Sequence, residues 1–391
     1  MDSGKKFFGF GKNVTVAGLV SFFMDISSEM IYPLVPLFLA NVLGVNKSVI
    51  GLIEGIAEST ASLIRIFSGW FSDRIGNRKW LMAAGYGIST LSRPFMALAA
   101  GWHQVMGSRL IDRFGKGIRT APRDAIIAES ADSAYLGRAF GFHRSMDTMG
   151  AVMGPALAFF LLSVSSNDYR KVFWLSMIPG VIAVLLIILL ITEKKKPFVA
   201  HADRPKLTFS HFDWRFKFFV VIAGIFALGN SSDVFLILRA QQIGISTQMI
   251  PVVYLVFNLV YSLSSIPSGM AADRFGKKRV IFLGFVLFAV LYSGFALASG
   301  TRVVWMLFGL YGLFMGLTEG IQKAFLTTII PADFKATAFG VYNTVVGIAM
   351  LPASLIGGWL WDKVSPSATF YFGSVTAAVS ALLFIVFMIA V

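Results

Sequence analysis

Long apolar runs alternate with short polar turns from residue 14 to residue 390. Each run reaches about 20 residues, the length an α-helix needs to cross roughly 30 Å of hydrocarbon. The pattern predicts twelve such helices, over 14–39, 48–71, 80–100, 104–128, 139–163, 172–192, 216–239, 248–270, 280–299, 303–328, 338–361 and 368–390. The first run is already of full spanning length and continues into further spans, so no cleavable signal peptide is read at the start. Only Glu193–Trp214 has the length and composition of a linker, with three consecutive lysines, two prolines and two histidines. The chain therefore divides into an N-terminal six-helix bundle over 1–192, a linker over 193–215 and a C-terminal six-helix bundle over 216–391.

The polar turns carry a repeat. Gly69-Trp70-Phe71-Ser72-Asp73-Arg74-Ile75-Gly76-Asn77-Arg78-Lys79 follows the second run, and Gly269-Met270-Ala271-Ala272-Asp273-Arg274-Phe275-Gly276-Lys277-Lys278-Arg279 follows the eighth. Both fit G-x-x-x-D-R-x-G-x-[RK]-[KR]. A polar turn repeated at half the chain length implies two homologous halves. Ser27-Ser28-Glu29 is matched by Ser231-Ser232-Asp233, and Ala139-Phe140-Gly141 by Ala338-Phe339-Gly340.

Composition agrees with a membrane protein: 56% of the 391 residues are hydrophobic and 14% are charged, against about 25% charged in soluble domains. The net charge of +14 does not imply a nucleic-acid partner. Its bases gather in turns on one side, including Lys5, Lys6 and Lys12, Arg74, Arg78 and Lys79, Lys194–Lys196, and Lys277–Arg279. The positive-inside rule places that side, both termini and the linker in the cytoplasm. With no cysteine in the chain, disulfides, thiol catalysis and Cys metal sites are excluded.

The doubled loop resembles the signature of the major facilitator superfamily, and the resemblance covers essentially the whole chain. Arg113, Gly117 and Ala121 match a second motif of that family in the fourth span. Gly150-x-x-x-Gly154-Pro155 resembles the motif of its antiporters, with Ala158 and Phe159 where a glycine pair is usual. The run Asp112–Asp124 resembles one bacterial branch. The resemblance implies an all-α membrane protein, with 12 transmembrane helices in two pseudo-symmetric six-helix bundles around a central substrate cavity. It further implies a monomeric secondary transporter of the bacterial inner membrane, not an enzyme, that rocks between inward- and outward-open states without a cofactor. Asp73, Arg74, Arg78 and Lys79, with Asp273 and Arg274, would form its conformational latch.

Charges inside the spans need a reason, since each costs on the order of 3 kcal/mol at a helix centre. Arg109, Asp112, Arg113, Lys116, Arg119 and Arg123 share an arc of about 120° on a 3.6-residue helix. This cationic stripe must face the protein interior. Asp25 and Glu29 share a face of the first span, Glu54 and Glu58 one of the second, and His143 and Asp147 one of the fifth. Counted from the helix ends, Asp25, Glu58, Arg113, Lys116 and Asp147 come out nearest mid-membrane. Two readings stand: seven acids and eight bases in the first half form structural ion pairs, or a subset lines the cavity. In the second reading, Asp25, Glu29 and Glu58 lead as proton sites, because burial and nearby cations set when a carboxyl exchanges its proton. Arg113 and Lys116 would meet an anionic group. The second half offers Asp233, Arg239, and Glu319 with Lys323 at i,i+4 spacing.

Other signals fail. Phe114-Gly115-Lys116-Gly117 lacks the glycine at 110 and the Ser or Thr at 117 of a phosphate-binding loop. His103, His143, His201 and His211 form no ligand pair, so no dedicated transition-metal cage is expected, while an oxygen site using Asp25 or Glu29 stays open. Without a nucleotide-binding domain, transport is driven by a gradient or is passive. The favoured expectation is proton-coupled export of a small organic molecule, with protons and the lipid bilayer as further partners. Proton-coupled uptake of an anionic metabolite or siderophore is the alternative. A lipid flippase or a non-transporting sensor is less favoured.

Overall fold

The computed structural model describes residues 11–75, 77–131, 136–193, 212–330 and 335–390, without the side chains of 66, 69–75, 136–137 and 335–337. Most of the expected linker, and the side chains of Asp73 and Arg74, therefore lie outside the described residues.

The regular elements are helices: α1 Lys12–Ile31, α2 Val35–Leu37 running into a π-turn at Phe38–Val42, α3 Lys47–Ile75, α4 Arg78–Leu98, α5 Trp102–Ser130, α6 Leu136–Val164, α7 Tyr169–Leu175 and α8 Met177–Leu190. They continue with α9 Trp214–Gly229, α10 Val234–Gln242, α11 Ile250–Phe275, α12 Lys277–Leu297, α13 Thr301–Leu326, α14 Lys335–Lys363 and α15 Pro366–Ala390. Among the described residues, nine helical segments are long and apolar enough to cross a membrane: α1 through the π-turn, α6, α7–α8, α9–α10, and each of α11 to α15. Helices α3, α4 and α5 match the other three predicted spans in length but carry too many polar and charged positions to qualify on composition alone.

Three spans expected as continuous helices are interrupted, the sixth only at Ser176, between α7 and α8. Pro33 and Pro36 have no amide hydrogen to donate, so the first span tightens into a turn after α1, with Leu34 N–H donating to Ile31 O (2.9 Å). The seventh span breaks at residues 230–233, between α9 and α10. Irregular backbone at membrane depth persists only where protein or a polar cavity satisfies it.

The chain forms two compact units. The first takes the described residues of Met1–Leu43 and Thr60–His201. There α1 packs on α6 and α8, and α4 on α5. Its apolar core includes Val16, Val20, Met24, Met82 and Ile187.

The second unit takes Gly44–Ser59 and the described residues of Ala202–Val391. Its core is aromatic, with Phe288 stacked on Tyr292 at 3.9 Å and Phe226 tilted against Phe285 at 4.7 Å between ring centroids. Here the first turns of α3 pack on α14. A Cβ added at Gly358 would lie 2.7 Å from Ser48 Cα, so glycine is required for that backbone approach. Asp362, near the end of α14, accepts from the backbone N–H of Lys47 (3.2 Å) and Ser48 (2.7 Å) and from Ser48 Oγ (2.6 Å). A carboxylate from a distant helix thus satisfies the open amides at the start of α3.

Candidate coupling site in the first unit

The glycines of the antiporter-like motif set where α6 meets α1. A Cβ added at Gly150 would lie 2.8 Å from Asp25 Cβ, and one at Gly154 would lie 2.8 Å from Glu29 Cβ. Two glycines four residues apart therefore seat two carboxylates four residues apart, one pair above the other on facing helices. Pro155 follows inside α6. The charges that reach Asp25 are those of Asp147, Glu29, Lys116 and Arg119. The structure thus brings together Asp25, Glu29, Lys116 and Asp147.

His143 joins them through its approach to Asp147, and is hydrogen-bonded to α1. It is buried, its Nε2 lies 2.7 Å from Ser21 Oγ, and Ser21 Oγ lies 3.4 Å from Tyr86 Oη. On its other side, His143 Nδ1 is 3.6 Å from Asp147 Oδ2. The Arg119 guanidinium lies over the Tyr86 ring at 4.5 Å, and its Nη1 is buried with no hydrogen-bond partner. Carboxylate, imidazole, hydroxyl and phenol form a chain from α6 through α1 to α4, a geometry able to hold and pass a proton. Ser21 and Tyr86 are not among the sequence candidates, because each sits singly in an apolar run.

The stripe on α5 turns inward: Arg109, Asp112, Arg113 and Arg119 are buried. Part of it is structural. Arg93, 1% exposed, donates from Nε to Ser27 Oγ (3.2 Å), from Nη1 to Ser92 Oγ (3.3 Å) and from Nη2 to Ser28 Oγ (3.0 Å). Its Nη2 is 3.2 Å from Asp112 Oδ1. Arg109 and Arg113 each approach Asp112 Oδ2 at 3.9 Å. Arg113, a sequence candidate for an anionic group, therefore belongs to this ion cluster, and Arg109 also lies over the Tyr32 ring at 5.6 Å.

Glu54 and Glu58 fall in the second unit. There the charge of Glu58 reaches Asp233, whose Oδ1 accepts from Tyr311 Oη at 2.7 Å. Tyr261 donates to Glu319, which also pairs with Lys323 at 3.5 Å.

Of the expected latch, Arg78 pairs with Glu129 at 2.5 Å. The backbone N–H groups of Arg78 and Lys79 donate to Glu193 at 2.9 and 2.7 Å, and Lys79 Nζ donates to Ile188 O at 2.8 Å. Glu129 and Glu193 escape sequence reasoning because they lie far along the chain, one in the last turn of α5 and one just beyond the end of α8. In the second copy, Asp273 is exposed and 3.8 Å from Lys277, and Arg274 lies over the Phe275 ring at 5.4 Å. No group of three or more His, Cys, Asp or Glu able to hold a metal ion occurs among the described residues.

Two helical units with membrane-length apolar helices and buried charge define a multi-pass membrane protein. The Major Facilitator Superfamily profile matches residues 17–238 and 218–390, and the chain belongs to that family. It is 37% identical over 382 residues to an uncharacterised MFS-type transporter of Methanocaldococcus jannaschii, covering 95% of this chain and 94% of that one. It is 23% identical over 362 residues to the quinolone resistance protein NorA of Staphylococcus aureus, covering 90% of each. Among solved structures, a POT family transporter in complex with a thioalcohol conjugated peptide superimposes with a TM-score of 0.83 at 13% identity, covering 98% of this chain and 97% of that one. The nucleoside transporter NupG does so with 0.75 at 15% identity, covering 96% and 98%. These two likenesses are of fold.

Proposed function

We propose that this transporter exports a small organic solute in exchange for protons, by alternating access across the cytoplasmic membrane. In this reading twelve helices span the bilayer in two bundles joined by a cytoplasmic linker over 193–215, both termini lie inside, and the protein works as a monomer. The observation that carries it is the seam where Gly150 and Gly154 seat Asp25 and Glu29 within reach of Lys116 and Asp147. Carboxylates held among cations at a close-packed helix contact are suited to exchange a proton as the contact changes. The likeness to a quinolone resistance protein supports an outward-moving solute. Asp73, Arg74, Arg78, Lys79, Asp273 and Arg274 would act as the latch, changing rate and state preference without touching substrate.

Proteoliposomes with an acid lumen test this, with a quinolone as probe and protein-free vesicles as control. Antiport concentrates the quinolone in the acid lumen as protons leave. Accumulation on the alkaline side, together with protons, overturns it.

A second reading, proton-coupled uptake of an anionic metabolite, is favoured by one observation: the buried Arg119 Nη1 without a hydrogen-bond partner. An organic anion that accumulates on the alkaline side in the same vesicles would establish it.

A further inference from the structure

The two halves can be laid on one another residue by residue, and at one place they differ in charge. Helices α4 and α12 are each 21 residues long. Gly85 is the eighth residue of α4 and Gly284 the eighth of α12; each packs against the eighteenth residue of the next helix, Arg119 in α5 and Thr318 in α13. In the same register Arg93 corresponds to Tyr292, and Asp112 to Tyr311. Ser27-Ser28-Glu29 corresponds to Ser231-Ser232-Asp233.

In the first unit this place is filled by a fixed cation, the Arg93 guanidinium held by Ser27, Ser28 and Asp112. In the second unit the corresponding residue is a neutral phenol, and the carboxylate is Asp233. Tyr292 is fully buried and Ser231 is 5% exposed; their hydroxyls face each other, and Tyr292 also faces Tyr311, but neither Tyr292 Oη nor Ser231 Oγ makes a hydrogen bond of full geometry. These hydroxyls lie close together, with Asp233 and Tyr311 beside them. Buried hydroxyls left without a well-formed bond are rare enough to need a reason.

The backbone adds oxygen donors. At the break between α9 and α10, the amides of Ser232 and Val234 donate to Ser354 Oγ and Ser232 Oγ, both at 3.4 Å. In a continuous helix they would bond the carbonyls of Leu228 and Asn230. The nearest arginine along the chain, Arg239, is committed elsewhere: it donates to Phe295 O (3.0 Å), Gln242 Oε1 (2.8 Å) and Ala296 O (3.1 Å). Among the described residues, no Lys or Arg lies within ion-pair distance of Asp233.

We propose that the break between α9 and α10 binds a monovalent metal cation of the size of Na⁺, through Asp233, Ser231 and Tyr292, as the exchangeable counterpart of the Arg93 guanidinium. The donor set fits that class. Carboxylate, hydroxyl and carbonyl oxygens are hard donors, and Asp233, the carboxylate at the break, already feels the negative charge of Glu58, which favours a cation beside it. Carbonyls freed at a broken helix coordinate coupling ions in other transporter folds. The site is independent of the proton exchange proposed at Asp25 and Glu29.

The test is thermal unfolding of the purified full-length protein in NaCl, KCl and choline chloride at equal ionic strength, alongside radioactive sodium binding. A ligand that binds only the folded state raises the midpoint with its concentration. The wild type should show a saturable rise of several degrees in Na⁺ and none in choline. Tyr292→Phe and Ser231→Ala each remove one oxygen and should weaken the Na⁺ response at least tenfold in concentration. Tyr292→Arg supplies the cation that the first unit already has, and should abolish the response. Equal midpoints in the three salts for the wild type overturn the proposal, and so does an unaltered Na⁺ response in both Tyr292→Phe and Ser231→Ala. Because each variant is compared with itself across salts, a general loss of stability does not imitate the result. The outcome is also separate from that of the proton-gradient assay, which can succeed or fail with no Na⁺ present.

Discussion

Gly150 and Asp25 lie back to back across the α1–α6 seam, so close that a Cβ on the glycine would come within 2.8 Å of the aspartate's own. The carboxylate's position is therefore fixed by a missing side chain on another helix. Gly150→Leu should push α6 away from α1 and destabilise the protein by about 1–3 kcal/mol, the usual cost of overpacking. It should also abolish solute exchange. Thermal unfolding and vesicle transport measure both; a normal midpoint with normal exchange would show that the seam tolerates a gap.

Arg93 and Asp112 give a second prediction, about structure rather than transport. Removing one member of a buried pair leaves an uncompensated charge and costs about 3–5 kcal/mol. Arg93→Met should show that loss in thermal unfolding. The double variant Arg93→Met, Asp112→Leu should recover only part of it, because it removes the lone carboxylate but also takes from Arg109 and Arg113 the counter-charge that each approaches at 3.9 Å. If the double variant is as unstable as the sum of the singles, the pair is not the unit that matters.

Much of the architecture could be read from the polar turns. The loop at Gly69 recurs at Gly269 and predicts two halves, and the helical spacing of Arg109, Asp112, Arg113 and Arg119 predicts an inward face that the structure buries. Spacing says which residues share a face, however, and not which helix that face meets. Chain position groups Glu54 and Glu58 with the charges of the first half, yet they pack in the unit formed mainly by the second. The break at 230–233 is illegible for a related reason: Ser231-Ser232 interrupts an apolar run no more than Ser27-Ser28 does, and α1 continues through the latter. The partners Glu129 and Glu193 come from the last turn of α5 and from just beyond α8, where one glutamate looks like any other.

Asp362 is the cap of a helix that begins more than 300 residues earlier, receiving two amides and one hydroxyl from Lys47 and Ser48. Loss of an N-terminal cap costs about 0.5–2 kcal/mol. Asp362→Ala should lower stability by that amount, and Ser48→Ala by less, because it removes one bond of the three. Amide exchange at Lys47–Ile50 should quicken in Asp362→Ala. Unchanged exchange there would mean that water replaces the carboxylate without loss.

Asp25 and Glu29 carry the most direct prediction for coupling. Asparagine and glutamine keep the shape of these side chains but cannot gain or lose a proton. If either group is the proton carrier, Asp25→Asn or Glu29→Gln should abolish accumulation of solute driven by a pH gradient. Exchange of labelled for unlabelled solute at equal pH should survive, because that half-cycle needs no net proton movement. The rate of this exchange should also lose its dependence on pH in the variant that removes the carrier. His143→Gln provides the comparison: it retains a hydrogen-bonding group toward Ser21 but breaks the chain from Asp147 to Tyr86. It should slow gradient-driven transport while leaving its direction and driving force intact. Gradient-driven accumulation that persists in both Asp25→Asn and Glu29→Gln would move the coupling group away from the α1–α6 seam altogether.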